Sequence, residues 1–108
     1  MDNIVKGVSP DTERETNAQG GKQSKSEYAF HLIDTDAILA LAEVMRIGEQ
    51  HYTRDNWRKI PSEDHFNHML VHYYAWLKGD TSDDHLAHML CRAMMVYATG
   101  KAEEQANV

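Results

Sequence analysis

Between Thr35 and Gly100 apolar residues return every three or four positions, the repeat of an amphipathic helix, in three separate stretches. In the first, Ile38, Leu41, Ala42 and Met45 follow Thr35, whose hydroxyl suits an N-cap, and Gly48 weakens the far end. In the second, Phe66, Met69, Leu70, Tyr73, Trp76 and Leu77 keep the i, i+3, i+4, i+7 order, with Pro61 as a stop before them and Ser62 as the expected cap. Lys78-Gly79-Asp80-Thr81 then breaks the chain. In the third, Leu86, Met89, Leu90, Ala93, Val96 and Tyr97 form the expected buried stripe, and Gly100 is the expected end. Ser82 is the expected cap here, placing Asp83 and Asp84 in the first turn, where the helix dipole favours negative charge.

Upstream the periodicity is lost. Residues 1–26 mix Gly, Ser, Thr, Asn and charge with few large apolar groups, so ordering them costs entropy without burying much, and a flexible arm is expected. Gly20-Gly21-Lys22 offers backbone N–H groups to a phosphate, although a plain linker is the simpler reading. The partly alternating Tyr28-Ala29-Phe30-His31-Leu32-Ile33 is the one stretch that resembles a strand. The expectation is an all-α fold: a small bundle of three main helices over residues 27–108, an N-terminal arm over 1–26, and completion by oligomerisation. A homo-oligomer is expected because the Met-rich and aromatic stripes present more apolar face than one small core can cover.

Composition narrows the partners. With 108 residues there is room for one domain and a modest core. Seventeen acidic against 11 basic side chains leave a net charge of −6, which argues against holding duplex nucleic acid by neutralising many phosphates; a small phosphorylated ligand remains open. A single cysteine, Cys91, makes no internal disulfide, and no cationic-then-apolar leader opens the chain, so a cytoplasmic location is expected. No apolar run is long enough to span a bilayer, and no membrane partner is expected.

The chemistry-bearing residues fall into two sets. His65, His68 and His72 lie at i, i+3 and i+7 of the second helix, one face beside the apolar stripe. On the third helix Asp84 and His88 are four apart, with His85 and Arg92 near that edge. Antiparallel packing of these helices brings the two edges into one cleft, offering imidazole and carboxylate ligands to a divalent metal, joined by Glu43 and Glu49 if the first helix packs alongside. Taken singly, each histidine is better explained as a solvated or hydrogen-bonded surface group, and Asp83 and Asp84 as capping residues; only Asp84 together with one of the histidines weighs evenly between a ligand set and that reading. The second set is Tyr52-Thr53-Arg54-Asp55-Asn56-Trp57-Arg58, where guanidinium forks suit phosphate, Asn56 suits a base edge, and Tyr52 and Trp57 suit base stacking. Cys91, beside the third stripe and without CxxC spacing, is expected to be a packed thiol. The spacings of serine hydrolases, P-loops, zincins and zinc fingers are missing.

The order GGKxS, ALxxLAEV, HYxxDNWRKIP, AWLKGD and DDHLAH resembles the small phage domain known as dATP/dGTP diphosphohydrolase, related to all-α MazG-like nucleotide pyrophosphohydrolases. The resemblance runs from about Gly20 to Tyr97. It implies a helical, oligomeric, nucleotide-handling protein that cleaves a purine dNTP to a monophosphate and pyrophosphate with Mg²⁺ or Mn²⁺, in a host cytoplasm if phage-encoded. On that reading Glu43, Glu49 and Asp84 are catalytic. The metal ligands come from Glu43, Glu49, Asp84, His85 and His88, and Tyr52, Arg54, Asn56, Trp57, Arg58, His72 and Arg92 contact substrate. The chain departs from the wider class in lacking its ExxE and ExxD pairs, since Glu43 and Glu49 are six apart. Val71-His72 and Cys91-Arg92 also stand where Arg-His and Trp-Asn are expected. The rival reading needs no metal: a binding protein that sequesters a cyclic nucleotide or ADP-ribose-type immune signal, acting as an anti-defence sponge. The blandest is an oligomeric interaction protein whose histidines line subunit contacts.

Overall fold

The computed structural model describes residues 13–107, so residues 1–12 of the expected arm lie outside the described residues. The chain divides into two units at Asp34 and Thr35. In the first, β1 (Arg14–Thr16) and β2 (Lys22–Ser24) pair antiparallel, with Arg14 opposite Ser24 and Thr16 opposite Lys22. Asn17 makes this hairpin: its Oδ1 accepts from the N–H groups of Gln19 and Gly21 at 3.0 and 2.8 Å, while Gly20 supplies the left-handed backbone (φ +85°). The glycine pair is thus spent on a turn, and the Gly21 N–H offered to a phosphate is already bonded. Paired strands therefore lie inside the stretch expected to be an arm, whereas the expected strand after Tyr28 is a 3-10 turn at Phe30–Leu32.

The second unit carries α1 (Thr35–His51), α2 (Ser62–Leu77) and α3 (His85–Ala106), with a 3-10 turn at Asn56–Lys59 before α2. Neither Gly48 nor Gly100 ends its helix. A helical glycine costs about 1 kcal/mol against alanine, and the helix-forming Lys101, Ala102, Glu103 and Glu104 carry α3 onward to Ala106. The expected caps are also displaced. Pro61 is the N-cap of α2, and Ser62, one residue inside, gives its N–H and hydroxyl to the Glu103 carboxylate at 3.0 and 2.5 Å. Asp84 caps α3 by accepting the Ala87 N–H at 3.1 Å, because the Ser82 hydroxyl is bonded to Asp80 instead.

Helix α3 is the central element: α2, α1 and the 56–59 turn all pack on it, while α1 and α2 do not meet. The α2–α3 pair is antiparallel, as the side-chain pairs His72 with His85, His65 with Arg92, and Ser62 with Glu103 require. Between α1 and α3 the Cys91 thiol reaches the Met45 sulfur at 3.6 Å, and burial pushes that thiol's pKa up, as expected of a packed cysteine.

The core does not lie where the periodicity put it. Buried side chains are Ala87, Cys91, Thr99, His65 and His85. The expected stripes stand largely in solvent, with Phe66, Trp76 and Leu77 of α2, Leu86, Leu90 and Tyr97 of α3, and Ile38 of α1 all exposed. A polar row occupies the α2–α3 seam, and two helices packed on one central helix leave no second layer to cover the apolar rows.

Candidate functional site

Two clusters share the α2–α3 seam. At its open end α2 finishes at Leu77, and Gly79 just beyond, with positive φ (+81°), completes a Schellman turn: Gly79 N–H donates to Trp76 C=O at 2.9 Å and Asp80 N–H to Ala75 C=O at 3.1 Å. That turn delivers Asp80 to α3. Its Oδ2 lies 2.5 Å from His85 Nε2 and accepts the Ser82 hydroxyl at 2.7 Å. These hydrogen bonds, His85 first, hold the Asp80 carboxyl below the usual aspartate range.

His85 faces across the seam. Its Nδ1 lies 2.9 Å from Nδ1 of His72, and the His72 ring stacks on His88 with centroids 4.8 Å apart and planes 12° apart. His88 Nε2 is in turn 3.3 Å from Asp83 Oδ1. Burial lowers the His72 pKa, and the neighbouring His88 and His85 lower it further. Its imidazole is accordingly biased toward the neutral form, which carries a lone pair. His72, Asp83 and His85 each present a ligand atom within 4.8 Å of the other two, the one group of three such residues among the described residues.

Two helical turns along, His65 is wholly buried, and both ring nitrogens are engaged. Arg92 Nη1 donates to Nδ1 at 2.9 Å and Nε2 donates to the Trp57 carbonyl at 2.8 Å, so these contacts place the ring proton on Nε2. His65 thereby ties α2 and α3 to the 52–58 segment. Asp55 adopts a left-handed backbone (φ +64°), tolerable for a short acidic residue, and accepts from Arg58 Nε at 3.1 Å. The Arg58 guanidinium lies over the Trp57 ring, 4.2 Å from its centroid.

The residues singled out from sequence separate accordingly. His85, His88 and His72 come together; Arg92, Trp57 and Arg58 come together; Asn56 is half-buried in the 56–59 turn, and Tyr52 and Arg54 are exposed. Glu43 lies outside both clusters, in an exposed bidentate pair with Arg46 that holds its carboxyl low. Glu49 is exposed near the end of α1, and Asp84 uses its carboxylate as the α3 cap. His68 is exposed.

The sequence pattern had Asp83 and Ser82 as capping residues and Asp80 as part of a chain break, not as members of a site. The available signal was Gly79: a glycine closing an apolar stripe marks a left-handed turn, and the polar residues after it are those projected onto the next helix.

A family model described as dATP/dGTP diphosphohydrolase, N-terminal, matches residues 17–107, taking in β2, both clusters and all three helices. No curated protein and no solved structure matches the chain.

Proposed function

Since the chain belongs to the dATP/dGTP diphosphohydrolase N-terminal family, we propose that it binds a purine deoxynucleoside triphosphate along the α2–α3 seam and cleaves it to monophosphate and pyrophosphate. The observation that carries this reading is the buried His65, which holds Arg92 and the Trp57 backbone together on the same α2–α3 seam that carries the imidazole–carboxylate cluster. His65 and His72 are seven residues apart on α2, as are His85 and Arg92 on α3, which separates the clusters by about 10 Å at 1.5 Å per residue. A nucleotide lies along this seam with its base at the Trp57 end and its phosphates toward His72 and His85.

Each group has a distinct task. Trp57 walls or stacks on the base, Arg58 and Arg92 offset phosphate charge, and Asn56 pairs with a base edge. In cleavage a water attacks the α-phosphorus, the bond to the bridging oxygen breaks, pyrophosphate leaves, and the water's proton passes to a base. His88, whose Nε2 lies 3.3 Å from Asp83 Oδ1, is the base assigned to that step. An all-carboxylate Mg²⁺ cage does not fit these residues: Glu43 is bound to Arg46, Asp84 is bound to the Ala87 N–H, and the ligand-forming group contains neither.

That mismatch favours the second reading, a binding protein that sequesters a cyclic nucleotide or ADP-ribose-type signal and leaves it intact. Incubation with each dNTP, cyclic dinucleotides and ADP-ribose compounds, with and without Mn²⁺, followed by chromatography, separates the two. Monophosphate and pyrophosphate from dATP or dGTP are expected. Recovery of unaltered ligand from a tight complex overturns cleavage, and absence of binding overturns both readings. Trp57→Ala is expected to weaken binding by about 1–3 kcal/mol, the scale of one lost base-stacking partner.

A further inference from the structure

We infer that His72, Asp83 and His85 form a three-ligand site for a borderline divalent cation of the Zn²⁺ or Co²⁺ kind, open toward the seam, in place of the oxygen-ligated Mg²⁺ site of the wider class. Three observations converge on it. First, two imidazole nitrogens from different helices point at one another, Nδ1 to Nδ1, at 2.9 Å. With metal–nitrogen bonds of about 2.0–2.1 Å, neighbouring ligand nitrogens sit about 2.9–3.4 Å apart, so the rings stand at the spacing that a shared cation requires. An Asp83 carboxylate oxygen, within 4.8 Å of both, supplies the third ligand, while Oδ1 of that carboxylate also accepts the Asp84 N–H at 2.8 Å.

Second, the outer shell is built. Ser82 orients Asp80, and Asp80 takes the far nitrogen of His85, leaving Nδ1 as the ligating atom. A carboxylate on the non-ligating nitrogen is the usual support of a metal-bound histidine, because it fixes the ring and makes it more basic. Third, the seam has given up apolar packing for these groups. His85 is buried while Leu86 and Leu90 beside it are exposed, an arrangement that weakens the core unless the imidazoles have a use. Two nitrogens and one oxygen select a late first-row cation over Mg²⁺, which demands oxygen ligands and keeps most of its water. Three protein ligands leave positions for water or a phosphate oxygen.

The inference stands on side-chain geometry and is tested without nucleotide, so its failure and that of the nucleotide reading are distinguishable. Full-length protein stripped with chelator is titrated with Zn²⁺, Co²⁺ and Mg²⁺ by calorimetry, and the Co²⁺ form is followed by visible absorption. One equivalent of Zn²⁺ or Co²⁺ per chain is expected, with a Co²⁺ ligand-field band and no measurable Mg²⁺ binding. His72→Gln and the exposed-site Asp83→Asn are expected to weaken binding at least tenfold while circular dichroism stays at the wild-type level. Asp80→Asn is expected to lower affinity about 10–100-fold and keep the stoichiometry. His68→Gln, on an exposed position of the same helix, is expected to leave binding unchanged. Absence of wild-type binding, Mg²⁺ binding as tight as Zn²⁺, or equal affinity in His72→Gln, Asp83→Asn and wild type each overturns the site.

Discussion

Arg92 donates to Nδ1 of His65 at 2.9 Å, and through that one wholly buried ring the third helix is coupled to the Trp57 carbonyl of the segment before the second. A histidine that looks in sequence like one of three equivalent members of a face is thus the pin of the fold.

His65→Ala removes a buried ring and leaves the Arg92 guanidinium and the Trp57 carbonyl without their partner. A loss of about 2–4 kcal/mol of unfolding free energy is expected, summing the cavity and the unsatisfied groups. His68→Ala, at an exposed position, should change stability by no more than about 0.5 kcal/mol. Urea denaturation of both variants checks the contrast, and similar losses from the two would contradict it.

Asp84 is the observed α3 cap and also a residue that the family resemblance made catalytic, and two substitutions separate these roles. Asparagine caps about as well as aspartate, so Asp84→Asn should retain wild-type stability, while Asp84→Ala should lose about 0.5–2 kcal/mol. With the fold preserved, the dNTP turnover of Asp84→Asn then reports on the charge alone. Loss of turnover assigns the carboxylate a chemical role, and wild-type turnover confines it to the cap.

Glu103 provides the pH dependence that is easiest to sign. The Ser62 hydroxyl and N–H lower the Glu103 pKa in the folded chain, so the unfolded chain binds the proton more readily. The stabilisation is therefore complete above the ordinary glutamate value of 4.5 and disappears as pH falls through the depressed folded value. Asp80, lowered by His85 and Ser82, acts in the same direction from its ordinary 3.8. Glu103→Gln is expected to flatten the upper part of this acid limb in urea midpoints measured from about pH 3 to 7. An unchanged slope would show that the Ser62 contact is energetically silent.

The exposed Phe66, Val71, Tyr74, Trp76 and Leu77 on α2, with Leu86, Leu90 and Tyr97 on α3, leave a large apolar surface for a single chain. Light scattering at micromolar concentration is expected to give at least twice the chain mass. A monomer mass throughout that range would show that these side chains stay in water.

The apolar repeats of α1, α2 and α3 and the stop at Pro61 were legible in the sequence because a 3.6-residue period is a local property of the chain. The hairpin at Asn17–Gly21 is equally local, yet it was read as linker, because its turn chemistry lies among residues with nothing to bury. Exclusion of a long apolar span also carries over: no helix among the described residues is long and apolar enough to cross a membrane.

Sequence alone determined which residues share a helix face, and the antiparallel packing expected from the short α2–α3 connection did bring His72 to His85 and His65 to Arg92. Which row faced inward was decided only by the tertiary structure. Periodicity places the His row and the Met-aromatic row on adjacent strips of one helix, and burying either satisfies it. The choice came from contacts made outside each residue's own helix: the Trp57 carbonyl and Arg92 for His65, Asp80 for His85, and Glu103 for Ser62. A buried imidazole is tolerable only where both nitrogens find partners, and those partners are brought to the ring only once α2, α3 and the turns between them have closed.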